Sequence, residues 1–73
     1  MNMVTIIEIA EDNGWYIAER QPDASFIRFT KGVSIIDVWM STGTLRFIAA
    51  PYSRAQHYRD NTAEDFNRLF ETL

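Results

Sequence analysis

Residues 33–50 read VSIIDVWM, then STGT, then LRFIAA. Two runs rich in β-branched and aromatic residues flank a Ser-Thr-Gly-Thr punctuation. That is the pattern of two antiparallel strands joined by a short turn. With Thr42 and Gly43 as the turn residues, Ser41 faces Thr44, Met40 faces Leu45, Trp39 faces Arg46, Val38 faces Phe47 and Ile36 faces Ala49. Strand side chains alternate, so this register places Ile36, Val38, Met40, Leu45, Phe47 and Ala49 on one apolar face. Ile35, Asp37, Trp39, Arg46 and Ile48 share the other, which is mixed. The first face demands a covering layer, and the rest of the chain has to supply it.

The flanking segments offer the parts. Residues 26–30 (FIRFT) read as a strand that returns through Lys31-Gly32, with Thr30 facing Val33, Arg28 facing Ile35, Ile27 facing Ile36 and Phe26 facing Asp37. Residues 15–19 (WYIAE) read as another strand, and residues 21–25 as a loop of turn formers. Pro51 ends the sheet, since it has no N–H to give a ladder. Near the N-terminus, Thr5 and Glu8 fit a capping box with Val4 and Ile9 as a staple, and Asn13-Gly14 a stop, so residues 5–13 read as a helix. The β-branched run VTIIEI makes a strand the competing reading there. At the far end Thr62 is a cap with Glu64 and Asp65 in the first turn. Phe66, Leu69, Phe70 and Leu73 then form one apolar stripe at helical spacing. Residues 51–61 read as a loop or irregular turn. The order α-β-β-β-β-α predicts an α+β two-layer sandwich: a four-stranded antiparallel meander with an N-terminal and a C-terminal helix on one face.

The chain has 73 residues, enough for a single domain, and 47% of them are hydrophobic, which is rich for a core this small. There is no Cys, so no disulfide and no thiolate chemistry, which suits a reducing, cytoplasmic setting. The N-terminal residues lack a basic, then apolar, secretion pattern, and no apolar run is long enough for a membrane span. His57 is the only histidine, with no triad spacing around it. No phosphate loop, dinucleotide fingerprint or metal motif occurs, so the reading is a non-enzymatic protein without a cofactor or a metal. The net charge of −3 is uneven. Residues 26–59 carry Arg28, Lys31, Arg46, Arg54 and Arg59 against Asp37 alone, while both ends are acidic.

Two groups of residues are candidates for binding. The outward sheet face holds Phe26, Arg28, Ile35, Trp39, Arg46 and Ile48, an apolar and basic mixture of the kind that binds another protein or a second copy of the chain. The structural alternative is that Arg46 shields Trp39 in a cation–π pair, or that residues 51–61 fold over this face. After Pro51, Arg54, Gln56, His57, Tyr58 and Arg59 make a second candidate, an anion site, against the simpler reading of a solvated loop. Together the two groups also suit single-stranded nucleic acid or RNA, the alternative to protein binding.

The run IDVWMSTGT, followed by Gln56, Tyr58-Arg59 and the helix bearing Phe66 and Phe70, resembles small domains of phage-like and algal or plant proteins. These share a strand, an S/T-T-G-T turn, a strand, an aromatic-Arg segment and a short amphipathic helix. The resemblance covers roughly the last forty residues. It implies no catalytic residue, but it suggests a role for the turn at Ser41, Thr42, Gly43 and Thr44 and for Gln56 and Arg59; a chain this compact and acidic would also suit a small phage-type effector or inhibitor of a host protein. The element order is also similar to the double-stranded-RNA-binding domain. Glu64 and Asp65, however, stand where that domain presents lysines, and acids there repel phosphate.

Overall fold

The structure, a computed structural model, describes residues 2–73. Two helices cover one face of a five-stranded antiparallel meander, in strand order β1-β2-β3-β4-β5. The elements are α1 (Met3–Asp12), β1 (Tyr16–Gln21), a 3-10 turn (Pro22–Ala24), β2 (Phe26–Lys31), β3 (Ser34–Trp39), β4 (Thr44–Ile48), β5 (Gln56–Tyr58) and α2 (Ala63–Thr72). The expected two-layer α+β architecture holds, with one strand more than the sequence suggested. That strand comes from residues expected to be a loop: after Pro51 the chain reverses, and Gln56, His57 and Tyr58 pair with Phe47, Arg46 and Leu45. Three mostly polar residues carry too little alternation to announce a strand.

Helix α1 begins earlier than expected. Asn2, not Thr5, is the cap: its Oδ1 accepts the Thr5 backbone N–H at 2.9 Å and the Thr5 hydroxyl at 3.1 Å. Asn is at least as good a cap as Thr, and capping here gains a turn that brings Met3 against the core. Val4, the expected staple, is exposed instead. The far end closes as expected. Gly14 N–H donates to Glu11 O at 3.1 Å and Trp15 N–H to Ala10 O at 2.9 Å, the paired bonds of a Schellman stop.

That stop delivers Trp15 into the core rather than into a strand. Its indole is fully buried, meets Phe47 and Phe70 edge-on, and donates Nε1–H to the Phe70 carbonyl at 3.1 Å. One side chain thus joins the exit of α1, the end of α2 and the sheet. Around it lie Ile6 and Ala10 of α1, Ile27, Phe29, Ile36, Val38, Leu45 and Phe47 of the sheet, and Phe66 and Phe70 of α2. The expected stripe of α2 is all used, with Leu69 and Leu73 packed at its margins.

Both expected hairpin registers shift by two residues. The β2–β3 turn is Gly32-Val33, so Lys31 faces Ser34 and Phe29 faces Ile36. The β3–β4 connection takes four residues, Met40, Ser41, Thr42 and Gly43, so Trp39 faces Thr44 and Val38 faces Leu45. An even shift leaves every paired residue on its expected face, although Met40 and Ala49 drop out of the ladder. The longer turn has a tertiary cause. Met40 N–H is taken by Ser25 O at 2.9 Å, and Gly43 O accepts both the backbone N–H (2.9 Å) and the side-chain amide (2.8 Å) of Asn61. Asn61 Nδ2 also donates to Tyr58 O at 2.9 Å, so it ties the hairpin tip, β5 and the start of α2 together. At one of the two free edges of the sheet, every residue of β1 is exposed, and a bulge interrupts its pairing between Ile17 and Glu19.

Gly43 and Gly32 both have positive φ, at 65° and 62°, but they differ in surroundings. A Cβ on Gly43 would stand 3.0 Å from Asn61 O, whereas one on Gly32 meets nothing within 4 Å. Gly32→Ala is expected to cost about 1–2 kcal/mol from backbone strain alone, and Gly43→Ala about 1 kcal/mol more. Urea unfolding of the two variants checks this, and equal midpoints would mean that the Asn61 contact contributes nothing.

The start of α2 makes a pH prediction. Thr62 N–H donates to Asp65 Oδ2 at 2.9 Å and Asp65 N–H to Thr62 Oγ1 at 3.3 Å, completing a capping box. The Thr62 backbone N–H, then its hydroxyl, hold the Asp65 carboxyl below its ordinary range. A carboxyl depressed by folding stabilises above its unfolded pKa, and the contribution is lost as pH falls through the folded value. The melting-temperature deficit of Asp65→Asn is therefore expected at neutral pH and to close as pH drops below the carboxylate range. A deficit independent of pH would assign it to something other than the Asp65 charge.

Candidate functional site

The face of the sheet turned away from the helices is organised in cross-strand rows. One row holds Tyr16, Thr30, Ile35 and Ile48; the next holds Glu19, Arg28, Asp37, Arg46 and His57; a third holds Gln21, Phe26, Trp39 and Thr44. The middle row alternates in sign until it reaches His57.

Asp37 is the centre of that row and is fully buried. Arg28 grips it with two bonds, Nε to Oδ1 at 2.6 Å and Nη2 to Oδ2 at 3.1 Å, and Arg46 Nη2 donates to Oδ2 from the other side. The guanidiniums lie over the carboxylate and screen it from water, with side chains 35% and 31% exposed. The hydrogen bonds that Arg28 donates to Asp37 raise its pKa above the ordinary value; burial opposes this, and the charges of Asp37 and Glu19 add to the rise. Pairing Asp37 with both arginines is what the two-residue shift produces. The expected register set it opposite Phe26 instead, and charge matching across strands was the signal that could have found the true one.

Trp39 and Arg46 are diagonal rather than opposite, yet the Arg46 guanidinium still lies 5.6 Å from the indole centre. Phe26 packs against Trp39 with ring centres 5.2 Å apart and is only 8% exposed, so it braces the face rather than presenting itself. Ile35 and Ile48 are half-buried. Residues 51–61 do not cover this face, because β5 extends the sheet sideways.

Among the large exposed apolar side chains, Tyr16 and Val33 belong to the end of the sheet where Ile35 pairs with Ile48, while Val4 lies on α1 and Ile17 pairs with Phe29 of the inner face. Tyr16 opens β1 at 67% exposure, and Val33 caps the β2–β3 turn at 65%. Beyond Ile48, Ser53 N–H bonds to Ala50 O at 3.0 Å, closing a turn with Pro51 and Tyr52 at its centre. Tyr52 has φ of 70° and a fully exposed side chain. Sequence reasoning placed Ile35 and Ile48 on this face but missed Tyr16, which joins their row through the β1 pairing.

The residues expected to form an anion site are dispersed. His57 joins the middle row, Tyr58 packs toward the core and gives its hydroxyl to Gln56 Oε1 at 2.8 Å, and Arg54 and Arg59 are exposed on either side of β5. On the helix side, an open cleft of about 670 Å³ lies among Thr5, Met40, Gly43, Asn61, Thr62 and Phe66. Asn2, Asn61 and Thr62 in its lining are engaged in capping and turn hydrogen bonds, and Asp60 lines it as well. Among the described residues, no three His, Asp or Glu side chains are grouped to hold a metal, and no helix is long and apolar enough to cross a membrane.

Removing Asp37 leaves two facing cations without their counter-charge. Asp37→Ala is expected to cost about 2–4 kcal/mol, part of which added salt recovers by screening the arginines. Arg46→Met, which leaves the two Arg28 bonds in place, is expected to cost about 1 kcal/mol. Urea unfolding at low and high salt measures both, and an Asp37→Ala variant as stable as the parent would refute the role given to the row. The chain matches no protein-family model, no curated protein and no solved structure.

Proposed function

We propose that the chain is a small, non-enzymatic protein-binding module that docks through the outer face of its sheet, as a phage-type effector or inhibitor of another cytoplasmic protein would. The observation that carries this reading is that the well exposed Tyr16 and Val33 stand at the end of the sheet where the half-buried Ile35 and Ile48 pair, with the exposed Tyr52 in the turn that follows β4. Apolar side chains grouped at one end of a small monomer supply the area a partner buries, and the arginines beside them supply polar contacts. Tyr52 adds to this. A left-handed backbone costs a non-glycine residue about 1 kcal/mol or more, and here that conformation displays an aromatic ring in solvent.

Single-stranded nucleic acid is the less favoured partner on two observations. Arg28 and Arg46 share Asp37, which cancels half of the charge that phosphates would need. Trp39 is braced by Phe26 and overlain by Arg46, so it offers little open ring for a base.

The test is affinity capture with the parent chain and with Tyr16→Ser, Val33→Ser and, as a control on α1, Val4→Ser. Both face variants are expected to weaken the captured protein at least about tenfold at unchanged melting temperature, and the control to leave it unaffected. Binding is also expected to persist between ~50 mM and ~500 mM salt, where phosphate contacts would be lost. Light scattering of the parent shows whether the partner is a second copy. Face variants that bind like the parent would overturn the reading.

A further inference from the structure

Resting on that reading, we infer that the partner is a protein segment carrying an acidic side chain, and that its carboxylate docks on Arg46. In the middle row two guanidiniums share Asp37, and the row's second acid, Glu19, stands at the β1 end, so both carboxylates lie on the Arg28 side of Arg46 and the row ends positively there. The two arginines are therefore not equally compensated. Arg28 is engaged on Asp37 as a fork and has Glu19 opposite it on β1. Arg46 gives a single hydrogen bond among the described residues, from Nη2; its Nε is buried out of a ligand's reach, but its side chain is 31% exposed, and the residue opposite it on β5 is His57, not an acid. A guanidinium held half out of water with donors unused is a receptor for a second carboxylate. Its position is fixed by Asp37 on one side and by the Trp39 ring below, so a ligand finds it already ordered.

The spacing of the rows narrows the ligand further. Ile48 lies two residues along β4 from Arg46, which sets the apolar row about 7 Å from the charged one. A segment that uses both carries an Asp or Glu about that far from an apolar side chain. Residues i and i+2 of a strand meet this spacing, and so do i and i+4 of a helix.

Selection of random dodecapeptides displayed on phage against the intact chain tests this, followed by fluorescence anisotropy of the selected peptides. The expected peptides carry an acid two or four positions from an apolar residue. Arg46→Met and an acid-to-amide change in the peptide should each weaken binding about tenfold, and combining them should add little, because both remove one contact. Arg46→Met keeps the Arg28–Asp37 pair, and its melting temperature verifies that it folds. Peptides that bind without an acid, and that Val33→Ser weakens while Arg46→Met does not, would overturn the acidic partner and leave the docking face standing. If neither variant affects any selected peptide, both ideas fall. Tighter binding of an oligothymidine that competes with the peptides would also overturn the inference, in favour of phosphate.

Discussion

A carboxylate sealed inside a protein surface is tolerable only with counter-charge and hydrogen bonds close at hand. Asp37 has them on both sides, from Arg28 on β2 and Arg46 on β4. The three residues are consecutive members of one cross-strand row, so the ion cluster forms in one alignment of the three central strands. Slipping each hairpin by two residues would leave the apolar and polar faces intact but strand the carboxylate between Phe26 and Ile48. Alternation cannot tell those alignments apart, and the charge can. Buried ion clusters add little net stability, and here the row selects among arrangements of similar hydrophobic merit.

This explains how far the sequence could be read. The α2 stripe, the inward residues of β2, β3 and β4, the Thr62 cap and the Asn13-Gly14 stop were legible because each is a local pattern with a local cause. Three features were not. The four-residue turn depends on Asn61, eighteen positions from Gly43, and β5 has substance only as a neighbour of β4. Trp15 reads as the first residue of a strand until the helix stop is seen to aim it at Phe70. In each case the missing information was a contact distant in sequence. At the candidate site the main residues were visible, but their roles changed: Phe26 became a brace, Asp37 the anchor, and Tyr16 entered from outside the set.

The two faces of the sheet divide the work. The inner one is closed by α1 and α2 around Trp15, with the tip of the β3–β4 hairpin fastened to the start of α2 through Asn61. The outer one is ordered without a covering layer, because arginines spread over Asp37 and Trp39 take the place of a third layer. A face built this way has its side chains ordered by their own contacts.

An open sheet with a fully exposed margin is normally a hazard, since unpaired backbone groups recruit further strands from neighbouring molecules. Strand β1 is such a margin, yet it is kinked by the bulge between Ile17 and Glu19 and carries Glu19 and Arg20 just beyond it. A straight incoming strand loses its hydrogen-bond pitch at the kink, and an antiparallel copy of β1 centred on Arg20 brings like charges together. The β1 edge is therefore poorly suited to strand-by-strand association between copies.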